Sequence, residues 1–220
     1  MTGLESIEVL AEQSGKLIVF EGVEGCGKTT QIQAASIWLQ TTFPDKRVVV
    51  TREPGGTHLG TRVRRLLLEY STDAPTSNSA ELLLFAADRA QHVEEVLLPE
   101  LKGGSIILCD RYTDSTVAYQ GYGRGLDKEL IHQLNAIATG GLKSDLTIWL
   151  DVDVEVSLAR KSELVADRIE SNAIAFHRRV QMGYTKLACD NPDRIMRIDA
   201  SLNPTEVSAQ IQAILRQHLV

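Results

Sequence analysis

The sequence predicts an α/β fold, a parallel sheet with helices on both faces, formed as one domain. Three observations predict it. Five short runs rich in Val, Ile and Leu recur along the chain without the apolar–polar alternation of a half-exposed sheet. Segments with helical spacing separate these runs, so strand and helix alternate throughout. The first run leads into Gly22-Val23-Glu24-Gly25-Cys26-Gly27-Lys28-Thr29, which meets the phosphate-binding loop pattern G-x-x-x-x-G-K-[ST] at every fixed position.

Each element has its own justification. Leu17–Glu21 is short, apolar and β-prone, as the strand before such a loop must be. Thr29–Thr42 places Ile32, Ala35 and Leu39 on one helical face. Arg47–Thr51 is the second strand, and Pro54, Gly55 and Gly56 beyond it enforce a tight loop. Helices are expected over Leu59–Tyr70 and Ser79–Leu101, with the third strand at Ser105–Asp110. The helix Lys128–Ala138 and the strand Asp145–Asp151 follow, then helices Val154–Lys161 and Ser171–Asp190 and the strand Arg194–Asp199. The last helix opens on Asn203 as N-cap, with Pro204 at its first position and Glu206 completing a capping box. Repeated strand–helix–strand units imply right-handed crossovers.

Bulk properties narrow the function classes. The 220 residues are 43% hydrophobic and 24% charged, ordinary for a soluble globular chain. A net charge of −6 argues against a broad basic surface for nucleic acid. No apolar run approaches the roughly 20 residues of a membrane span. Residues 1–15 carry Glu5, Glu8 and Glu12 without a basic start, and are expected to be a short extension, not a secretory leader. Cys26, Cys109 and Cys189 form no C-x-x-C pair, so reduced thiols in a cytoplasmic protein are expected.

Chemistry-bearing residues gather at the strand ends. Glu21, Thr51-Arg52, Asp110-Arg111 and Asp151 close four of the five runs. Ligands in open α/β sheets bind beyond the carboxyl ends of the strands, so these groups share a rim with the loop. In the loop, Gly22, Val23, Glu24, Gly25, Cys26, Gly27 and Thr30 frame backbone N–H groups for a polyphosphate. Lys28 is placed to reach its β- and γ-phosphates, and the Thr29 hydroxyl to ligate Mg2+. Asp110, an acid ending an apolar strand, takes the second metal position of such enzymes, and Arg111 offers a planar fork for phosphate oxygens. Arg52 either clamps an anion or belongs to a plain turn. Phe85 and Arg89, four apart on one helix face, suit a base and its phosphate, while core packing also explains Phe85. Ser115, Thr116, Tyr119 and Gln120 lie in a segment of hydroxyls, amide, aromatics and glycines. That mix suits a base edge and a sugar wall, or an irregular loop. Arg160, Lys161 and Arg168 near 160–172 form either a lid over phosphates or a solvated charged face. Cys26 beside Lys28 has a thiolate-favouring environment, and equally the size of a buried filler.

Together these residues resemble the thymidylate kinase family, a family of P-loop nucleoside monophosphate kinases. The resemblance runs from about Lys16 to the C-terminus on six motifs in register: FEGVEGCGKTTQ, TREPGGT, ELLLFAADRAQH, DRYTDSTVAYQGYGRG, LDV and DRIE. It implies a five-stranded parallel sheet in the order 2-3-1-4-5, a P-loop NTPase fold, a homodimer, and phosphoryl transfer from ATP to dTMP with Mg2+. By the same resemblance Lys28, Arg111 and Arg168 are catalytic and the loop from Gly22 to Thr30 holds ATP. Arg52, Arg89 and Arg111 surround the acceptor phosphate, and Phe85 stacks on thymine. Ser115, Thr116 and Gln120 approach the base, Tyr119 walls the deoxyribose, and Glu24 faces the sugar hydroxyl and the metal. Gly25 stands where one branch of the family has a loop arginine, so lid cations are expected to carry that load.

The chemistry needs no general base. A phosphate monoester has a second pKa of about 6, so the acceptor is mostly dianionic at neutral pH and already nucleophilic. Positioning, Mg2+ and arginines do the work. The alternatives are a P-loop kinase for another nucleotide or small metabolite, a GTP switch, which lacks its N-K-x-D motif here, and an ATP-dependent scaffold without an acceptor.

Overall fold

The computed structural model describes residues 15–68, 76–160 and 174–219. Five parallel strands form one sheet in the order β2-β3-β1-β4-β5. They are β1 (Lys16–Glu21), β2 (Val48–Arg52), β3 (Ile106–Asp110), β4 (Leu146–Asp151) and β5 (Ile195–Asp199). β1 is central, pairing Lys16–Phe20 with Ile106–Asp110 on one side and Ile18–Glu21 with Leu146–Trp149 on the other. This is the expected sheet and order.

The expectation that every strand is covered on both faces holds for β1, β3 and β4 but not for the two edge strands β2 and β5. β2 is an edge strand with Val50 52% exposed. An edge strand has one neighbour, and its apolar residues reflect β propensity as much as burial.

The helices are α1 (Lys28–Thr42), α2 (His58–Leu68), α3 (Asn78–His92), α4 (Leu98–Lys102), α5 (Thr113–Thr116), α6 (Lys128–Thr139), α7 (Val154–Ala159), α8 (Ile174–Asp190) and α9 (Pro204–Leu219). The expected helix over Ser79–Leu101 is interrupted by a π-helical turn at Val93–Leu97. Pro99 explains the break, because it lacks the N–H that would bond four residues back and its ring crowds that carbonyl. A second π segment, Val117–Gly123, continues α5 and carries Tyr119 and Gln120. The α9 cap is as expected: Asn203 Oδ1 accepts from the amides of Thr205 (3.1 Å) and Glu206 (3.0 Å). The larger core cluster joins β1, β3, β4 and β5 to α1, α8 and α9. A smaller one, around Leu17, Val19, Ile107 and Cys109, packs against Val93, Leu97 and Leu101.

Candidate active site

One cleft of about 410 Å³ opens beyond the carboxyl ends of the strands. The expected residues Glu24, Gly25, Gly27, Lys28, Thr29, Thr30, Arg52, Phe85, Arg89, Asp110, Arg111, Ser115, Thr116, Tyr119 and Gln120 all line it. Gly22, Val23 and Cys26 do not; they are buried beneath the loop. Arg168 and Lys161 lie outside the described residues, while Arg160 lines the cleft.

The loop is braced from below. Gly25 has φ 75°, and a Cβ there would stand 2.3 Å from the Ser157 carbonyl oxygen on α7. Ser157 Oγ also donates to the Glu24 carbonyl. Side chains at position 25 are therefore excluded by backbone shape and by α7, which gives a steric reason for the missing loop arginine. Lys28 Nζ folds over the loop and donates to the carbonyls of Gly22 (3.1 Å) and Val23 (3.2 Å). Cys26 is 3% exposed within the main core, which favours the filler reading over a reactive thiol.

Arg111 is the hub. Its φ of 71° places a non-glycine residue in the left-handed region, at a cost of about 1–2 kcal/mol. That turn swings the guanidinium back over the sheet end. Nη1 donates to Ser115 Oγ (3.1 Å) and to the Tyr184 hydroxyl (3.2 Å). Nη2 donates to the Tyr119 hydroxyl (3.1 Å) and to the Glu24 carboxylate. The guanidinium carbon also sits 4.8 Å from the Tyr119 ring centroid. Behind it Glu21, fully buried, accepts from Tyr112 N (2.9 Å), Ser115 N (3.1 Å), Ser115 Oγ (2.6 Å) and Tyr184 OH (2.7 Å). Burial pushes the Glu21 carboxyl above its ordinary range, opposed by Arg111.

A second buried network holds the loop after β2. Arg89, 2% exposed, donates to Glu53 Oε2 (2.8 Å), Thr116 Oγ1 (2.9 Å), Asn135 Oδ1 (2.7 Å) and the Tyr112 carbonyl (3.0 Å). His92 bridges Glu53 Oε1 (2.9 Å) and Thr51 Oγ1 (2.7 Å). Arg52 between them is exposed at the cleft and makes no hydrogen bond or ion pair among the described residues, so its fork is available to an anion. Arg89 is thus mostly an internal brace, with four of its five N–H donors used within the protein.

Asp88 completes this network and titrates unusually. Its Oδ1 accepts from Gly55 N (3.0 Å), while Oδ2 has no partner among the described residues. Burial, then the Glu53 charge, push its carboxyl from 3.8 to about 6. The folded protein holds this proton to higher pH than the unfolded chain. Stability therefore falls as pH rises from 3.8 to about 6, and the full penalty stands above that window. Asp88→Asn keeps the acceptor for Gly55 N and removes the charge. It is expected to be more stable than wild type at pH 8 by on the order of 2 kcal/mol, the gain fading toward pH 4. Thermal melts across pH test this; a gain that ignores pH defeats it.

Metal fit rests on Asp110. Its Oδ1 is buried without a partner among the described residues, and Thr29 faces the same cleft. A carboxylate and a hydroxyl are hard oxygen ligands, the donor set of Mg2+ that keeps several of its waters.

Sequence reasoning missed Tyr184, Glu53 and Glu81. Glu81 is buried and takes hydrogen bonds from Gln120 Nε2 (2.8 Å) and from Arg124 (3.2 and 3.3 Å). Glu53 and Glu81 lie inside motifs already noted, but nothing local marks them as buried. Tyr184 reaches Arg111 from α8, 73 positions away in sequence, and no local pattern signals it.

The thymidylate kinase family profile matches residues 20–211. A thymidylate kinase of Nostoc punctiforme is 63% identical over 207 residues, covering 93% of this chain and 97% of that one. One from Trichormus variabilis is 61% identical over 207 residues with the same coverage. A crystal structure of thymidylate kinase from Ehrlichia chaffeensis superposes with a TM-score of 0.74 at 36% identity, covering 91% of this chain and 99% of that one.

Proposed function

The chain belongs to the thymidylate kinase family, and from that premise we propose that its cleft transfers the terminal phosphoryl group of ATP to dTMP, giving dTDP and ADP. One observation carries the reading furthest. A single cleft joins the phosphate loop at one end to Arg52, Phe85 and Gln120 at the other. Donor phosphates at the loop would face an acceptor nucleotide held at the other end.

The roles are those that the family resemblance implies, supported by the shared cleft. Lys28 leaves the loop carbonyls for the donor's phosphates, and loop amides take the remaining oxygens. Arg52 offers its free fork to the acceptor phosphate. Arg111 exchanges its ion pair with Glu24 for the phosphates, to which it presents its fork. The freed Glu24 faces the sugar hydroxyl. Phe85 stacks on thymine, Tyr119 walls the deoxyribose, and Ser115, Thr116 and Gln120 surround the base. Mg2+, held by Thr29 and Asp110, would neutralise charge on the donor's phosphates. With Gly25 unable to carry a side chain, Arg160 and Arg168 of a lid near 160–172 supply the remaining cations. Dry closure would protect ATP from hydrolysis.

Residues 16–220 are proposed as the kinase domain after an extension at 1–15. Homodimerisation is supported by exposed Leu59, Leu66, Leu83, Leu130 and Ile137 on α2, α3 and α6, helices that pack side by side. Among the described residues no helix is long and apolar enough to cross a membrane. Three free cysteines suit a reducing, cytoplasmic setting.

The test is ADP release with dTMP, dUMP, the ribose counterpart and dGMP as acceptors. dTMP is expected to lead. dUMP should be poorer by roughly fivefold, since one lost methyl is worth about 1 kcal/mol. The ribose counterpart and dGMP should fall roughly 5- to 150-fold, the range for a buried group left unsatisfied. Equal turnover of dGMP or the ribose counterpart sinks the thymidylate assignment.

A further inference from the structure

Glu81 sits in the first turn of α3 with its carboxylate 1% exposed, facing inward. Gln120 on the π segment donates its Nε2 to Glu81 Oε1 at 2.8 Å. Arg124 grips the same carboxylate through Nε (3.3 Å) and Nη2 (3.2 Å), and lies 4.7 Å over the Phe176 ring. A carboxylate only accepts, so just one of the two amide orientations of Gln120 is compatible with it. The NH2 group faces Glu81. The opposite atom, Oε1, has no hydrogen-bond partner among the described residues, and Gln120 lines the cleft.

Its neighbours in the cleft are polarised too. Thr116 Oγ1 accepts from Arg89 Nη1 at 2.9 Å, which leaves the threonine O–H to donate. Arg89 retains one Nη2 N–H after its four internal bonds. The wall therefore presents one acceptor and two donors. A pyrimidine edge with a ring N–H between two carbonyls is the complement. The cytosine edge is not, because its ring nitrogen is an acceptor and an amino group replaces one carbonyl.

Resting on the thymidylate reading of the cleft, we propose that Glu81 is a positioning residue. It fixes the polarity of Gln120 and thereby selects an imide-edged pyrimidine over an amino-edged one. Glu81 touches no substrate; it acts through the Gln120 amide.

The experiment compares kcat/KM for dTMP and dCMP in wild type, Glu81→Gln and Gln120→Met, with melting temperatures and the KM for ATP alongside. Glu81→Gln keeps the shape but can donate or accept, so Gln120 is free to turn either way. The expected result is a fall of about tenfold in the dTMP to dCMP ratio, with the KM for ATP unchanged. Loss of both acceptors in equal proportion shows a purely structural role and overturns the proposal. If Glu81→Gln does not fold, Gln120→Met decides: a collapsed ratio supports the polarity argument, and a ratio at the wild-type value overturns it. A wild type that ignores dTMP overturns the parent reading and this inference with it. An active wild type with an unchanged ratio in Glu81→Gln overturns this inference alone.

Discussion

Lys28→Ala is expected to abolish phosphoryl transfer while leaving the fold in place. The two halves of that expectation rest on different contacts. Among the described residues the Lys28 ammonium bonds the Gly22 and Val23 carbonyls and approaches Cys26 Sγ at 3.7 Å. Removing it leaves two loop carbonyls for water to satisfy, a cost on the order of 1 kcal/mol. Lys28 takes no part in the sheet register and meets the main core only at Cys26 Sγ among the described residues, so circular dichroism and the melt should stay near wild type. Catalysis has no such substitute. Charge builds on the transferring group, and a fixed cation already aimed at it stabilises that charge far better than reorganising solvent does. Turnover below a tenth of wild type is the minimum expected, about 1.4 kcal/mol of barrier. Turnover above that level would remove Lys28 from the mechanism.

Arg111→Lys should be almost as damaging, although the charge is conserved. The guanidinium bonds Ser115, Tyr184, Tyr119 and Glu24 at once because its donors lie in a rigid fork. An ammonium is a point charge and reaches one or two of these. The substitution keeps a cation near buried Glu21, which limits the cost of leaving that carboxylate uncompensated. It also keeps a side chain in the left-handed turn, so backbone strain is unchanged. The expected loss is on the order of 100-fold in kcat/KM for dTMP, about 2.7 kcal/mol. Steady-state kinetics with both substrates varied, beside a thermal melt, separates lost chemistry from lost folding. A variant within threefold of wild type would show that charge alone suffices.

How legible the protein was in its sequence depended on range. The phosphate loop could be read because its constraints are local: glycines where backbone bends or where α7 crowds, then Lys and Thr at fixed offsets. The α9 cap was legible for the same reason, since Asn203 bonds residues two and three ahead. Strand ends were legible because parallel strands deliver their last residues to one rim. The π turn at Val93–Leu97 was not, although Pro99 is visible, because its accommodation depends on how α4 packs under β1 and β3.

The sequence by itself determined the sheet, the loop, the rim of candidate residues and the family resemblance. All of these rest on spacing between near neighbours or on motifs in register. Only the tertiary structure decided what each side chain does. Arg52 and Arg89 both come from quoted motifs, yet among the described residues one makes no bond at the cleft and the other gives four of its five donors to Glu53, Thr116, Asn135 and Tyr112. Arg111 is shaped by Tyr184, 73 positions away, and Gln120 by Glu81, 39 away. Hydrogen-bond partners at such separations are set by packing, which brings them within 3 Å or so without leaving a period or spacing in the chain.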